Sequence, residues 1–372
     1  MRLDKLTARS RCGWITIGCA VLAADVGLGQ RAVLDPQLSQ SATTASARQT
    51  VAAAVLLPPL PLEDSTLARL AARLDVAFEC HSSAHFVVAF QNPCAATAPL
   101  LELLEGVYTA HARFYDDLGI LPRRPTGKLL VLHLATAEGF AAAVRKLGIV
   151  TNGSMGFYDE DLNCTLLFDL ETHPTIVGLR AELARTAPPR RRELERRLAA
   201  RQTELARTII QHEAAHQIQA NTLGLRRRLS PCWMLEGGAL LFEAPLPRSG
   251  DGSLPINTYR LHEFGRLYDA PQKLPDLCRF LTEEEAWCGP ECYPLAWALT
   301  YYLWCQHPTR LARLLESSPP AAQARGGTTL AQELRALCDG GLLDAFWERT
   351  QDWQRESRTP ADASVQTKCR PP

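Results

Sequence analysis

The chain has 372 residues, 46% of them hydrophobic, and its acidic and basic side chains cancel to a formal net charge of zero. That is ample apolar material for one large core or two smaller ones, and the neutral balance argues against a dedicated nucleic-acid binder, which carries a strong basic excess. After residue 30 the longest apolar run is Val51 to Leu57, far short of the roughly 20 residues that span a membrane.

In chain order, the first segment reads as a targeting signal. Arg2, Lys5, Arg9 and Arg11 precede a mostly apolar stretch from Trp14 to Leu28, broken only by Asp25, and Gly27-Leu28-Gly29 offers a small-x-small cleavage site, with Ala24 as a second candidate. An uncleaved membrane anchor is the alternative. Residues 1–29 are therefore assigned to a signal peptide, and export to the periplasm or the exterior follows. Residues 30–62, rich in Ala, Ser, Thr, Gln and Pro, form a flexible linker. A short helix is predicted from Ser65 to Leu74, then strands at Val76–Cys80 and His85–Phe90, and a long helix from about Pro99 to Leu118, ended by Gly119. "KLLVLHL", from Lys128 to Leu134, is a buried strand, and Thr136 to Leu147 a helix closed by Gly148. A hairpin follows, with arms near Ser154–Tyr158 and Cys164–Asp169 around an acidic turn.

Composition then shifts. Arg190 to Arg207 is arginine-rich with glutamates interspersed, as a solvated helix face would be; a polyanion site is the weaker reading, because Glu193, Glu195 and Glu204 dilute the charge. From Thr203 to about Leu223 the chain is helical, with Gly224 as its stop. Helices are predicted near 233–243, 257–269, 293–306, 309–316, 329–338 and 343–356, and a disordered tail over 359–372. Strands and helices first, then a helical half, indicate an α+β protein: a small mixed-sheet subdomain with an edge hairpin (63–175) packed on a mainly helical subdomain (176–358).

The chain has twelve cysteines. Cys12 and Cys19 leave with the signal, and the even remainder fits disulfides in an oxidising compartment. Cys80 and Cys94 flank the first strand pair, Cys288 and Cys292 share one loop, and at least one local bridge is expected. A cysteine zinc site at Cys288 and Cys292 lacks a second pair at zinc-ribbon distance.

"TIIQHEAAHQIQAN" carries the chemistry. His212 and His216 are four residues apart on a helix, so both imidazoles leave one face, at the end of the stripe begun by Leu205 and Ile209. Two histidines ending an apolar stripe have a reason if they share one metal ion; the bland alternative is an exposed helix with merely polar histidines. Glu213 is rotated about 100° from His212, placed to reach a water at the metal without being a ligand. This is the H-E-x-x-H pattern. A catalytic zinc needs three protein ligands and an open position. Glu236, twenty residues beyond His216 in "WMLEGG", supplies the third if a second helix runs back along the first. A surface glutamate favoured by the helix dipole is its alternative, and Gly237-Gly238 weighs against that by letting two helices approach.

His212-Glu213-x-x-His216 followed by Trp233-x-x-Glu236-Gly237 resembles the gluzincin metallopeptidases of the peptidase MA-like clan. Over about Phe78 to Leu303 the chain also resembles a family of uncharacterised exported peptidase-like proteins common in planctomycete bacteria. The resemblance implies a zincin-like helical subdomain in which His212, His216 and Glu236 hold one zinc ion and Glu213 is the general base. It implies a peptide or protein substrate and a tyrosine donor to the oxyanion. Tyr293, opening the helix in "ECYPLAWALTYYLW", matches that tyrosine best; Tyr301 and Tyr302 are rivals, and an ordinary packed aromatic is the alternative. In that clan an edge strand beside the cleft pairs with the substrate backbone, a role that would fall to the hairpin strand from Cys164 to Asp169. No Gly-x-Met-Glu-Asn signature is present, so amino-terminal specificity is not implied. Glu243 is read as a surface glutamate, a hydrogen-bond partner for a ligand histidine being the alternative. The function read from the sequence is zinc-dependent peptide hydrolysis; the rival is an exported binding or scaffold protein that keeps the fold without turnover. No nucleic acid and no stable membrane span are expected, and the oligomeric state is not legible.

Overall fold

The computed structural model describes residues 64–92, 97–149, 153–227, 229–246, 254–283, 289–317, 329–339 and 342–358. The signal, linker and tail assigned above lie outside these residues. The fold is α+β. A first part comprises α1 (Asp64–Leu74), β1 (Glu79–Ser82), β2 (Phe86–Phe90), α2 (Thr97–Asp117), β3 (Leu129–Leu134), α3 (Ala137–Leu147), β4 (Phe157–Asp159), β5 (Cys164–Phe168) and α4 (Pro174–Ala184). Helices make up the rest: α5 (Pro188–Thr222), α6 (Cys232–Leu240), α7 (Thr258–Leu267), α8 (Leu277–Thr282), α9 (Tyr293–Gln306), α10 (Pro308–Glu316), α11 (Leu330–Asp339) and α12 (Leu342–Arg358). Among the described residues no helix is long and apolar enough to cross a membrane.

The five strands form one mixed sheet in the order β1-β2-β3-β5-β4. β2, β3 and β5 run parallel, while β1 and β4 pair antiparallel at the two edges. The three parallel strands are almost wholly buried, as strands covered on both faces must be. Of the predicted hairpin, the arm at the edge is β4; β5 lies inside, between β3 and β4. The expectation that the Cys164–Asp169 strand borders the cleft is therefore corrected. A strand with two hydrogen-bonded neighbours has no free edge to offer.

Two apolar cores meet along α5. Ile209, Ala214 and Ile218 pack with the sheet, while Ala215 joins the helical core with Trp233, Tyr293 and Trp297. α6 and α9 bury nearly every side chain, because each is apolar around its whole circumference. α5 is one continuous helix of 35 residues, longer than the predicted segment; Pro188 and Pro189 fall at its first positions, where proline is tolerated. Its arginine-rich half carries ion pairs such as Arg197–Glu193 and Arg191–Glu195 at helical spacing, in keeping with the solvated-face reading. α4 and α8 were not predicted from the sequence.

Polar anchors fix α5 on the sheet. Gln217 Nε2 donates to the carbonyls of Leu130 (3.0 Å) and Asn163 (3.1 Å), and its Oε1 accepts from the Thr165 hydroxyl at 3.1 Å. Asn221 and Asn163 exchange two side-chain hydrogen bonds of 2.7 and 3.0 Å. The buried Gln217 amide is satisfied at both ends, so the network sets one register of helix against sheet. Gly237 lets α6 close on α9: a Cβ there would stand 2.1 Å from Thr300 Oγ1 and 2.7 Å from the Ala296 carbonyl oxygen.

Candidate metal centre and its cleft

His212, in the C-terminal half of α5, is wholly buried, and His216 one turn later is partly exposed. α6 brings Glu236 up to both. Glu236 Oε2 lies 3.3 Å from His212 Nε2 and 3.4 Å from His216 Nε2, and the two nitrogens are 2.9 Å apart. Metal–nitrogen and metal–oxygen bonds of about 2.0–2.2 Å in a tetrahedron separate ligand atoms by about 3.3–3.6 Å, so the two carboxylate–imidazole sides match a zinc ligand set and the imidazole pair stands closer together than a bound ion would hold it. The buried Glu236 Oε2 makes no hydrogen bond. A buried carboxylate oxygen without a hydrogen bond is costly, and a cation held between it and the two imidazoles would remove that cost. The residues present therefore fit a zinc ion. The three ligand atoms of His212, His216 and Glu236 form a group that could hold a metal among the described residues.

Behind His212 lies a chain of charges, of which the sequence reading held only Glu243, and that as the alternative. Glu243 Oε1 accepts from His212 Nδ1 at 3.1 Å. Glu243 is 2% exposed, which corrects its reading as a surface residue; the break of α6 after Leu240 turns it inward. Arg260, on α7, clamps it with two bonds, Nε to Oε2 at 2.8 Å and Nη2 to Oε1 at 2.9 Å, and Asn257 Nδ2 adds a third at 3.2 Å. Burial alone would raise the Glu243 pKa, but the Arg260 guanidinium and the His212 bond outweigh it and hold it at about 2. A permanently charged Glu243 fixes the His212 tautomer with Nε2 toward the cleft. Without a metal, burial would depress the His212 pKa, yet the adjacent carboxylates of Glu236 and Glu243 carry it up to about 10. The lone arginine in "NTYRLHEF" gave no sequence signal of this role.

Glu213 points to the cleft side of the same helix. It is 4% exposed and its Oε2 accepts from the backbone N–H of Tyr158, on β4, at 2.8 Å. Burial raises its pKa first, Glu236 adds to that, and the two histidines and the Tyr158 bond oppose. The Tyr158 N–H of β4 thus meets α5, and Tyr158 lines the cleft. Gly156 permits this approach, since a Cβ would meet Ile209 Cγ2 at 2.5 Å.

The cleft is lined by Tyr158, Glu160, Glu213, His216, Glu236 and Tyr293, with Leu225, Arg226, Arg227 and Leu235. Tyr293 opens α9 with its ring centroid 6.2 Å from that of His212. Burial and then the carboxylates of Glu236 and Glu213 push its pKa well up, so it stays a proton donor. Arg260 lies over the same ring, 5.5 Å from its centroid. The rivals do not line the cleft. Tyr301 is stacked on Trp297 and packed edge-on to Trp353, and Tyr302 packs against Phe346 with its hydroxyl 3.3 Å from His307.

Cys232, at the start of α6, and Cys292, just before Tyr293, are both disulfide-bonded, next to elements that carry Glu236 and Tyr293. Cys80 is a thiol, so it takes no part in a bridge. Cys94 and Cys288 lie outside the described residues.

A family model described as "Protein of unknown function (DUF1570)" matches residues 206–321. The matched stretch begins within α5 and contains His212, Glu213, His216, Glu236, Glu243, Arg260 and Tyr293, but not the sheet. No curated protein matches the chain.

Proposed function

We propose that this protein is an exported zinc-dependent peptidase of gluzincin type. The observation that carries the reading is the meeting of His212, His216 and Glu236 ligand atoms within 3.4 Å of one another, in an open cleft that also presents Glu213 and Tyr293. His212, His216 and Glu236 would hold the metal, which when bound supplies Lewis acidity toward the scissile carbonyl and the attacking water. Glu213 keeps Oε2 on the Tyr158 N–H, which leaves Oε1 to take a proton from that water and hand it to the leaving amine nitrogen. Its raised pKa suits a group that must both accept and return a proton. Tyr293 donates from Oη to the oxygen that becomes negative in the tetrahedral transition state. Disulfide-bonded Cys232 and Cys292 support an oxidising compartment.

Zinc analysis of the purified protein, joined to a mixed-peptide cleavage profile, tests the reading. Glu236→Ala should lose tightly bound zinc while keeping its helical content; retention of wild-type zinc would overturn the ligand set. Glu213→Gln should keep zinc and lose about 10²–10⁴ in rate. Zinc bound by the parent with no cleavage of any peptide would instead favour a binding protein that keeps the fold.

A further inference from the structure

The short connection from His216 to Glu236 does more than join two elements. Gly224 ends α5 at a φ of 74°, Leu225 is buried, and the chain turns at once. The Arg226 carbonyl accepts from the N–H groups of Leu229 (2.9 Å) and Ser230 (2.8 Å), which fixes the backbone of that residue. Arg226 and Arg227 are thereby set into the wall of the cleft beside His216, Glu236 and Tyr293. The Arg226 side chain is exposed and, among the described residues, makes no hydrogen bond or ion pair, unlike the paired arginines of α5 and α7.

The acidic turn between β4 and β5 adjoins this segment and brings Glu160 to the same cleft, and the carboxylates of Asp159 and Glu160 are engaged. Asp159 Oδ1 accepts from the Leu162 N–H at 2.7 Å, and both Glu160 oxygens receive the Arg227 N–H at 3.3 Å. Burial raises the pKa of Glu160, against the opposing pull of the Arg227 N–H and of the Arg227 and Arg226 guanidiniums. Inside the cleft, Glu213 and Glu236 would face the metal's charge. Arg226 lines the cleft without a hydrogen bond or ion pair of its own, near enough to Glu160 to feel its charge, and its planar fork suits a carboxylate on an incoming chain.

We infer that Arg226 selects substrates bearing a carboxylate next to the scissile bond, so that the protein acts on acidic peptides or on free carboxyl termini. This rests on the peptidase reading for the cleavage step and on the cleft alone for recognition. The two sources of the carboxylate are distinguished by three matched peptides: one with an internal glutamate and an amidated end, one neutral with a free carboxyl terminus, and one neutral and amidated.

Two measurements keep the inference separate from the reaction. kcat/KM is measured for wild-type, Arg226→Gln and Arg226→Glu proteins, and fluorescence anisotropy follows binding of the same labelled peptides to zinc-loaded Glu213→Gln protein with and without each change. The expected result is a preference of about ten-fold or more for one carboxylate peptide over the neutral one, reduced by Arg226→Gln and reversed by Arg226→Glu in both assays. If the wild type cleaves nothing while the binding preference and its reversal hold, the peptidase reading fails and carboxylate recognition stands. Equal handling of all three peptides, a preference for the neutral amidated peptide, or a preference indifferent to both substitutions overturns the inference.

Discussion

Replacing Arg260 by methionine tests whether the charge chain behind His212 sets the site. Methionine keeps most of the apolar stem and removes the guanidinium, so packing changes little and electrostatics change fully. The partners are 4% and 2% exposed, and the pair is bidentate at 2.8 and 2.9 Å. Removing one member of a buried pair costs about 3–5 kcal/mol, because the remaining charge stays out of water. Glu243 then has burial as the dominant influence on its pKa and takes up a proton, with Asn257 as its remaining donor outside the site. A neutral Glu243 holds His212 Nδ1 less firmly, and loss of such a partner lowers metal affinity about 10–100-fold. Urea unfolding of metal-free Arg260→Met protein, and zinc competition against a chelator, read the two effects. Glu243→Gln completes a double-mutant cycle, in which the double variant should be much more stable than the sum of the single losses implies. Additive losses, or a loss below about 1 kcal/mol for Arg260→Met, would refute the reasoning, since an exposed pair behaves that way.

Tyr293→Phe should lower kcat about 10²–10³-fold with zinc content and KM little changed, whereas Tyr301→Phe, deep among tryptophans, should change kcat little; equal effects in steady-state kinetics would place the donor elsewhere. Gly237→Ala should destabilise the protein by about 1–3 kcal/mol in denaturant titration, and Thr300→Ala should not restore it, because the Ala296 carbonyl oxygen also stands in the way. In metal-free protein the folded His212 pKa of about 10 exceeds its ordinary 6.5, so its contribution to stability is full below pH 6.5 and lost as pH rises through 10. The urea midpoint of metal-free protein should fall over that window; zinc-loaded protein, with the metal in place of the proton, should show no such fall, and a like decline in both forms would count against the arrangement. At the acid end the folded Glu243 pKa of about 2 lies below its ordinary 4.5, so its contribution is present above pH 4.5 and lost as pH falls toward 2. Glu243→Gln should have that part of the acid dependence removed.

Local spacing carried a large share of what could be read in the chain. The i, i+4 placement of His212 and His216, the glycine stops at Gly119, Gly148 and Gly224, and the apolar runs of β2, β3 and β5 are properties of the covalent chain and its two periods, 3.6 and 2. Gly237-Gly238 even marked a close helix approach before any coordinates. Other features depended on which elements become neighbours. β4 and β5 look alike as hairpin arms, and β3 decides which is interior by pairing with β5. α4 lacks a polar–apolar alternation around its axis, and α8 is only six residues long, so neither shows a periodicity strong enough to read. Glu243 stood at helical spacing from Glu236, yet α6 ends at Leu240 and the turn after it carries Glu243 inward to His212. Arg260 and the Tyr158 N–H are remote in sequence from the residues they hold, 17 positions from Glu243 and 55 from Glu213. A side chain's charge and shape are written in the sequence, but the partner that burial forces on it is chosen only when two elements exclude water together.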